Sequence, residues 1–382
     1  MPAEIPASIR LLRVTVPLRN DHRGAHGTEH IRDVILVCWQ RQDGWVGWGE
    51  CPTLSSAGYA TETTEVAWAG LTTQLGPALL EGRTVLLPGL TASTAAILDA
   101  ALDAQLCSEG RPLIDELLGL SGSETAAVPE APAPGLARGP TPGLARCAVI
   151  ADLGASPSQL ADRAREAVEG GAAMIKLKIA PGRDVEALRA VRQAIGDFPL
   201  AADANGSYSD REALRPVDRM GLVFVEQPFS AGLTWDELAQ LRSAMQTPLA
   251  LDESLGSLDA LRSAVLAGSL DVVSVKPARL GGVRAAASAV EFASSAGLGV
   301  FVGGMLELGI GRAAAVAVAG LPGCTLPTDL GPSSQYVEQD ICDPICVNPL
   351  GELIPPTGPG IGRVPDEAQL ERCCIDEVVL RL

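Results

Sequence analysis

Histidine is almost missing from this chain: there are three in 382 residues, His22, His26 and His30, all in one N-terminal stretch. A histidine general base, a Ser-His-Asp triad and a histidine-ligated zinc centre are therefore excluded from the rest of the sequence. Any proton transfer there must rely on lysine, a carboxylate or tyrosine. Aromatic residues are also few, 3% against 47% apolar overall. The core must be built from Ala, Val, Leu and Ile, which suits helices laid on parallel strands. Positive charge is short as well, and the net charge of −17 argues against nucleic acid and anionic membrane surfaces as partners. A small anionic substrate stays open, because local lysines and a metal override the global field. The longest apolar run, residues 313–320, is far too short to span a bilayer. The opening MPAEIPASIRLLRVTVPL has no signal-peptide core. The nine cysteines are scattered, with no compact framework, and are expected to be reduced structural thiols in a cytoplasmic protein. That expectation includes Cys342 and Cys346 of CDPIC and the adjacent Cys373 and Cys374.

What the chain does have is a rhythm. AMIKLKI, PLAADAN, LVFVEQP, PLALDES, DVVSVKP and GVFVGGM follow one another between residues 173 and 305. Each run reads as a buried parallel strand, and most deliver a charged side chain at the C-terminal tip. The spacing of about 25 residues leaves room for one helix between neighbours, the period of a (β/α) barrel. Barrels of this kind place their chemistry at the C-terminal ends of the strands. CAVIADLGA at 147–155 is one period earlier and reads as the first strand, and SQLADRAREAVEGGA as its helix. The barrel is expected over 147–331, ending at TLPTDLG.

Residues 1–119 read as an α+β domain, with strands in IRLLRVTVPL, RDVILVCWQ and GWVGWGE and helices over 61–80 and 91–109. The tail, 332–382, is expected to complete that domain. Between the two, residues 120–146 are rich in Pro, Gly and Ala and contain PGLAR twice. This segment reads as a flexible insertion without chemistry.

Asp203, Glu226 and Asp252 are single carboxylates from three successive strands. Three oxygen donors on one side of a cavity suit Mg²⁺, and Mn²⁺ would accept the same ligands. Lys176 and Lys178 are two apart on one strand and so share its inner face. Their mutual repulsion should depress both pKa values and make one a usable base. Lys276 approaches from the opposite side, with Arg279 adding positive charge near it. The set implies removal of a proton α to a carboxylate, with the metal stabilising the enediolate. Bases on both faces would permit 1,1-proton transfer, whereas one base and a β-leaving group would permit elimination.

The order K-x-K, D-x-N, E-Q-P, D-E-S, K-P-x-R-x-G-G and G-G-M-x-E-x-G-x-G-R resembles the enolase superfamily. Within it, the chain is similar to the muconate cycloisomerase-like subgroup and its o-succinylbenzoate synthase / N-acylamino acid racemase family. The resemblance runs from GWGEC at 47–51 to PTGPGIG at 356–362, apart from the insertion. It implies a modified TIM barrel, (β/α)₇β, under an N-terminal α+β capping domain. It assigns metal ligation to Asp203, Glu226 and Asp252, proton transfer to Lys178 and Lys276, and an electrostatic role to Lys176. It sets Asn205, Glu253 and Arg279 behind those groups, and Gly303, Gly304, Met305 and Glu307 along the substrate.

Three departures from the family pattern surround the distal part of the substrate. His22 and His26 stand where an aromatic lid is usual and are expected to form a polar one. Ile150 replaces a small serine on the first strand, and Leu308 a threonine. The implied activities are racemisation of N-acylamino acids and dehydration to o-succinylbenzoate, a menaquinone precursor. Dipeptide epimerisation and muconate-type cycloisomerisation are alternatives on the same scaffold. A homo-oligomer is expected.

Overall fold

The structure, a computed structural model, describes residues 4–24, 27–56, 60–83, 87–120 and 143–381. The chain opens with three antiparallel strands, β1 (Ser8–Gly24), β2 (Gly27–Gln40) and β3 (Val46–Cys51). Their inner faces carry Ile9, Leu11, Ile35, Val37 and Trp39, all buried. Helices α1 (Thr64–Gly70) and α2 (Gly76–Leu80), joined through a π-helical turn at Leu71–Leu75, close that face together with α3 (Thr91–Glu109). Helix α3 has no capping side chain at Leu90. Glu62 takes that role from a distance, accepting from the Ala92 and Ser93 amides at 2.8 Å each, so the first-turn donors are satisfied. Helix α4 (Leu113–Leu120) follows.

The stretch carrying the histidines, expected to form a polar lid, is strand almost to its tip. His22 pairs with Glu29 and Gly24 with Gly27 across the β1–β2 ladder. His26 lies outside the described residues, and residues 21–24, 27 and 28 are described by their backbone alone. Most of the expected insertion, 121–142, also lies outside them. Its last residues are tied to the tail: Leu144 and Leu353 exchange backbone hydrogen bonds at 2.8 and 3.0 Å.

Seven parallel strands then alternate with helices. They are β4 (Cys147–Ile150), β5 (Met174–Lys178), β6 (Leu200–Asp203), β7 (Val225–Glu226), β8 (Leu249–Leu251), β9 (Val272–Val275) and β10 (Gly299–Val302), hydrogen-bonded in that order. The intervening helices are α5 (Pro157–Glu169), α6 (Val185–Ile195), α7 (Arg211–Asp218), α8 (Trp235–Ala244), α9 (Leu258–Ala267), the short α10 (Pro277–Leu280) and α11 (Val283–Ser295). Helix α12 (Gly309–Ala319) follows β10. Capping boxes at Ser156/Gln159 and Thr234/Glu237 start α5 and α8.

The ring closes through an irregular eighth segment rather than a regular strand. Leu326 and Asp329 donate to the Val300 and Val302 carbonyls, while Thr328 exchanges bonds with Ala145 and Cys147. Alternate strand residues fill the barrel. Cys147, Met174, Ala201, Phe224, Ala250, Val272 and Phe301 make its inner layer, with the Phe224 and Phe301 rings stacked at 5.3 Å. Outward residues such as Ile175, Leu177 and Val273 meet the helices. After α13 (Glu367–Cys373), the last strand β11 (Cys374–Arg381) returns to the first sheet and pairs with β1, giving the order β11-β1-β2-β3. No helix of the described residues is long and apolar enough to cross a membrane, and all nine cysteines are free thiols.

Candidate active site

Register brings the charged strand ends level. Lys178 pairs with Asp203 across β5–β6, and Asp203 with Glu226 across β6–β7. Asp252 follows the end of β8 and Lys276 the end of β9. Above the Phe224/Phe301 floor is a cavity of about 320 Å³. Lys176, Lys178, Asp203, Asn205, Glu226 and Lys276 line its barrel side.

The charges in this layer are paired one against another. Lys176, 2% exposed, sits between Glu226 (2.5 Å) and Asp329, with Phe301 beneath it at 5.0 Å. Lys178 donates to Asn205 and lies 3.3 Å from Asp203. Lys276 and Arg279 share Asp252, one on each oxygen, at 2.9 and 2.5 Å. Asn205 in turn donates to Glu253 at 3.0 Å.

These pairings decide the ionisation. Burial works against the Asp252 carboxylate, but Arg279 and Lys276 outweigh it and hold its pKa far below the usual range. Asp203 is lowered in the same way, burial being overcome by Lys178 and Lys176. Glu226 behaves differently. Burial, with Asp203, Asp252 and Asp329 alongside, pushes it up to about 8 against the pull of Lys176. The expected depression of Lys176 by Lys178 is not found. Burial opposes its ammonium, yet Asp329, Glu226 and Asp203 raise its pKa well above the ordinary value.

Among the described residues three non-glycine positions have positive φ, and all lie at this site: Asn205 (42°), Gln227 (37°) and Leu306 (55°). Such backbone is strained and needs support from its surroundings. Asn205 donates its amide to Asp203 at 3.0 Å. Gln227 accepts from the Asp252 and Ser254 amides at 3.0 and 3.2 Å, stapling the ends of β7 and β8. Leu306 is held by Arg32, a fully buried side chain of the capping domain, which donates to its carbonyl at 2.8 Å. Glu50, also from the cap, accepts from Leu308 at 2.7 Å and Gly311 at 2.8 Å. The cap thus fixes the wall formed by Gly304, Met305 and Leu306.

Several expected substrate contacts fall elsewhere. Ile150 faces outward among Leu160, Ile175 and Leu177, while Cys147, Val149 and Ala151 line the cavity. Side chains alternate along a strand, and the pocket lies on the odd-numbered face of β4. Gly303 is not a wall residue either. A Cβ there would stand 2.9 Å from Lys276 Cε and 3.0 Å from Ser274 Oγ, so the glycine makes room for the lysine. Glu307 turns behind the wall to Arg312 (2.8 Å) and the Met305 amide (2.9 Å). Leu308 is fully buried away from the cavity. Gly304 and Met305 do line it. For His22 and His26 no side-chain position is described.

Sequence reasoning missed Asp329, the partner of Lys176 from the eighth segment. Its signal was TLPTDLG, one period after GVFVGGM, without an apolar run to mark a strand. It also missed Glu29, Leu54 and Ser56 from the cap, and Arg312, Gln335 and Tyr336 beyond β10. Another signal was available in composition: the chain contains three lysines in all, Lys176, Lys178 and Lys276, and every one lines the cavity.

Among the described residues no three His, Cys, Asp or Glu side chains form a ready-made metal-binding arrangement. The carboxylate oxygens are turned onto ammonium and guanidinium groups instead. The donor set nevertheless fits a hard divalent cation. It consists of three carboxylates from adjacent strands, with Asp203 and Asp252 held ionised on either side of Glu226. Binding would require the oxygens to rotate off the cations they now meet.

A family model described as Enolase C-terminal domain-like matches residues 159–369. An N-succinylamino acid racemase from Amycolatopsis sp is 35% identical over 372 residues, covering 94% of this chain and 95% of that protein. An o-succinylbenzoate synthase from Geobacillus stearothermophilus is 33% identical over 374 residues, covering 95% and 94%. A solved enolase-superfamily structure from Listeria innocua superposes with a TM-score of 0.86 at 27% identity, covering 98% of this chain and 99% of that one.

Proposed function

The chain belongs to the enolase superfamily, and on that premise we propose that it removes the proton α to the carboxylate of an N-acylamino acid. In this reading it is an N-acylamino acid racemase whose pocket also supports dehydration to o-succinylbenzoate. One observation carries the proposal. Lys178 and Lys276 reach a single cavity from β5 and from the end of β9, with β6, β7, β8 and their carboxylates between them. Two amines on opposite sides of one carbon are what inversion of that carbon needs.

Lys178 would take the proton from one face, oriented by Asn205 and Asp203. Lys276 would act on the other. It shares Asp252 with Arg279, so the carboxylate does not serve the lysine alone, which favours a working second base. Lys176 is clamped by Asp329 and Glu226 and would act as fixed positive charge rather than as a base. Return of a proton to the opposite face gives racemisation. Elimination needs Lys178 as base and a leaving group on the neighbouring carbon. The cavity, about 320 Å³, is of the size that encloses a small ligand.

Enzymes of this superfamily generally depend on a divalent metal. Here Asp203, Glu226 and Asp252 would hold it, as Mg²⁺ or Mn²⁺. When bound, the cation supplies positive charge at the substrate carboxylate as the α-proton leaves.

The test is α-proton exchange followed by NMR in D₂O with Mg²⁺, on both enantiomers of N-succinyl amino acids, with an ultraviolet assay for dehydration in parallel. Exchange from both enantiomers is expected, abolished by a chelator and restored by Mg²⁺ or Mn²⁺. Dehydration without exchange would reduce the reading to a one-base synthase. Silence in both assays would remove it.

A further inference from the structure

Four carboxylates line the cavity: Asp203, Glu226, Asp329 and Glu29. The first three each meet a lysine. Glu29 does not. It lies at the start of β2, on the capping-domain side of the cavity with Leu54 and Ser56. It is 8% exposed, and among the described residues its hydrogen-bond partner is the Ser55 hydroxyl, which donates to Oε1 at 2.9 Å. No cation of the described residues pairs with it. Among the described residues, a carboxylate so nearly removed from water that meets one neutral donor and no cation is short of compensation. The other large charge near the mouth, Arg312, is already engaged by Glu307 at 2.8 Å and by the Tyr336 hydroxyl at 2.8 Å.

From this imbalance we infer that Glu29 selects the side chain of the substrate and that the preferred side chain is cationic, a guanidinium or an alkylammonium. The inference rests on the pocket's being an N-acylamino acid site. With the reacting carbon between Lys178 and Lys276, a substituent reaching the cap side of the cavity meets Leu54 as apolar surface and Glu29 as charge. An alkyl chain ending in a cation matches that pair of contacts. An anionic end there is repelled by Glu29. A neutral isostere leaves the carboxylate uncompensated.

The experiment compares N-succinyl-L-arginine with N-succinyl-L-citrulline, which has nearly the same shape and an uncharged side chain. Dissociation constants are measured by calorimetry with Mg²⁺, and kcat/KM by α-proton exchange. The intact protein should favour the arginine compound by about 10- to 100-fold, the range expected for one charge-assisted contact in a water-poor site. In Glu29→Gln, which can still accept from Ser55, that ratio should fall to within about twofold, and Glu29→Asp should keep most of it. Equal handling of the two compounds by the intact protein would overturn the inference, and so would a preference that survives Glu29→Gln. Because calorimetry reads the ratio without turnover, binding discrimination without exchange would sink the proposed reaction and leave Glu29's role standing. Exchange without discrimination would do the reverse. Binding of neither compound would overturn both.

Discussion

Two pairs of buried carboxylates in this molecule meet opposite outcomes of burial. At the strand ends Asp203 and Asp252 are held ionised below their usual range, because lysine and Arg279 stand against them. Where the cap meets the barrel, Glu50 and Asp103 are just as inaccessible, but their partners are backbone amides: Leu308 and Gly311 for Glu50, Trp48 and Ile361 for Asp103. There burial wins, and it raises Glu50 to about 8 and Asp103 to about 6. Desolvation is common to both regions. What separates these four is whether a full opposite charge or only a dipole answers it, while Glu226, buried and flanked by three other carboxylates, rises despite Lys176. The catalytic region invests all three lysines of the chain in keeping charge where chemistry can use it. The interface uses the same residue types as structural hydrogen-bond acceptors.

The sharpest way to break that contrast is to remove the working charges. Lys178→Ala and Lys276→Ala should each lower α-proton exchange by about 10²- to 10⁴-fold, on opposite enantiomers. Exchange measured separately for each enantiomer checks this, and equal losses on both from either variant would contradict the two-base assignment. Lys176→Met should act mainly on stability. It strands Glu226 and Asp329 without their shared cation, a loss of about 3–5 kcal/mol for a broken buried pair. Urea unfolding would detect it. An unchanged midpoint would mean that the strand-end carboxylates survive on dipoles, as the interface ones do. Gly303→Ala is milder. Its Cβ would displace Lys276 through the 2.9 Å approach to Cε, and misplacing a base by a fraction of an ångström should lower kcat by about 10-fold or more. The loss should fall on the enantiomer that the two-base proposal assigns to Lys276, with KM little changed.

How much of this was legible in the sequence follows from the same contrast. Charge at the end of an apolar run is visible in one dimension, so the barrel, its period and the Lys178/Asp203/Glu226/Asp252/Lys276 set could be written from the chain. The capping-domain strands were visible too, through their alternation. Ile150 was misread for a physical reason. CAVI is apolar on both faces, so nothing in it fixes which parity points inward until Cys147 is seen in the inner layer with Met174 and Phe301. Asp329 was hidden because the eighth segment closes the barrel with Thr328 and Asp329 backbone bonds rather than an apolar strand. Glu29, Glu50, Arg32 and Arg312 act only once the cap is docked on the barrel, and no spacing announces that. Lys176 was assigned a neighbour's repulsion, whereas two carboxylates from β7 and the eighth segment decide its state.

The interface carboxylates make the smallest prediction, and its sign follows from linkage. Glu50 sits at about 8 in the folded chain against an ordinary 4.5, and Asp103 at about 6 against 3.8. Between the ordinary and the raised value the folded state holds a proton that the unfolded state has released. Stability from these groups is therefore complete below about pH 4 and declines as pH rises through each raised value. Asp203 and Asp252 have the opposite sign: their contribution is present above the ordinary carboxylate pKa and is lost on acidification. In Glu50→Gln the titrating group is gone while one of its two backbone donors keeps an acceptor. The variant should be less stable than the parent at pH 5, by about 1–3 kcal/mol for the amide left without a partner. That gap should narrow by about 1 kcal/mol or more towards pH 8. Urea midpoints at pH 5, 6.5 and 8 measure it. A gap that stayed constant from pH 5 to pH 8 would mean that Glu50 is ionised and matched by charge, and the two regions would no longer differ in kind.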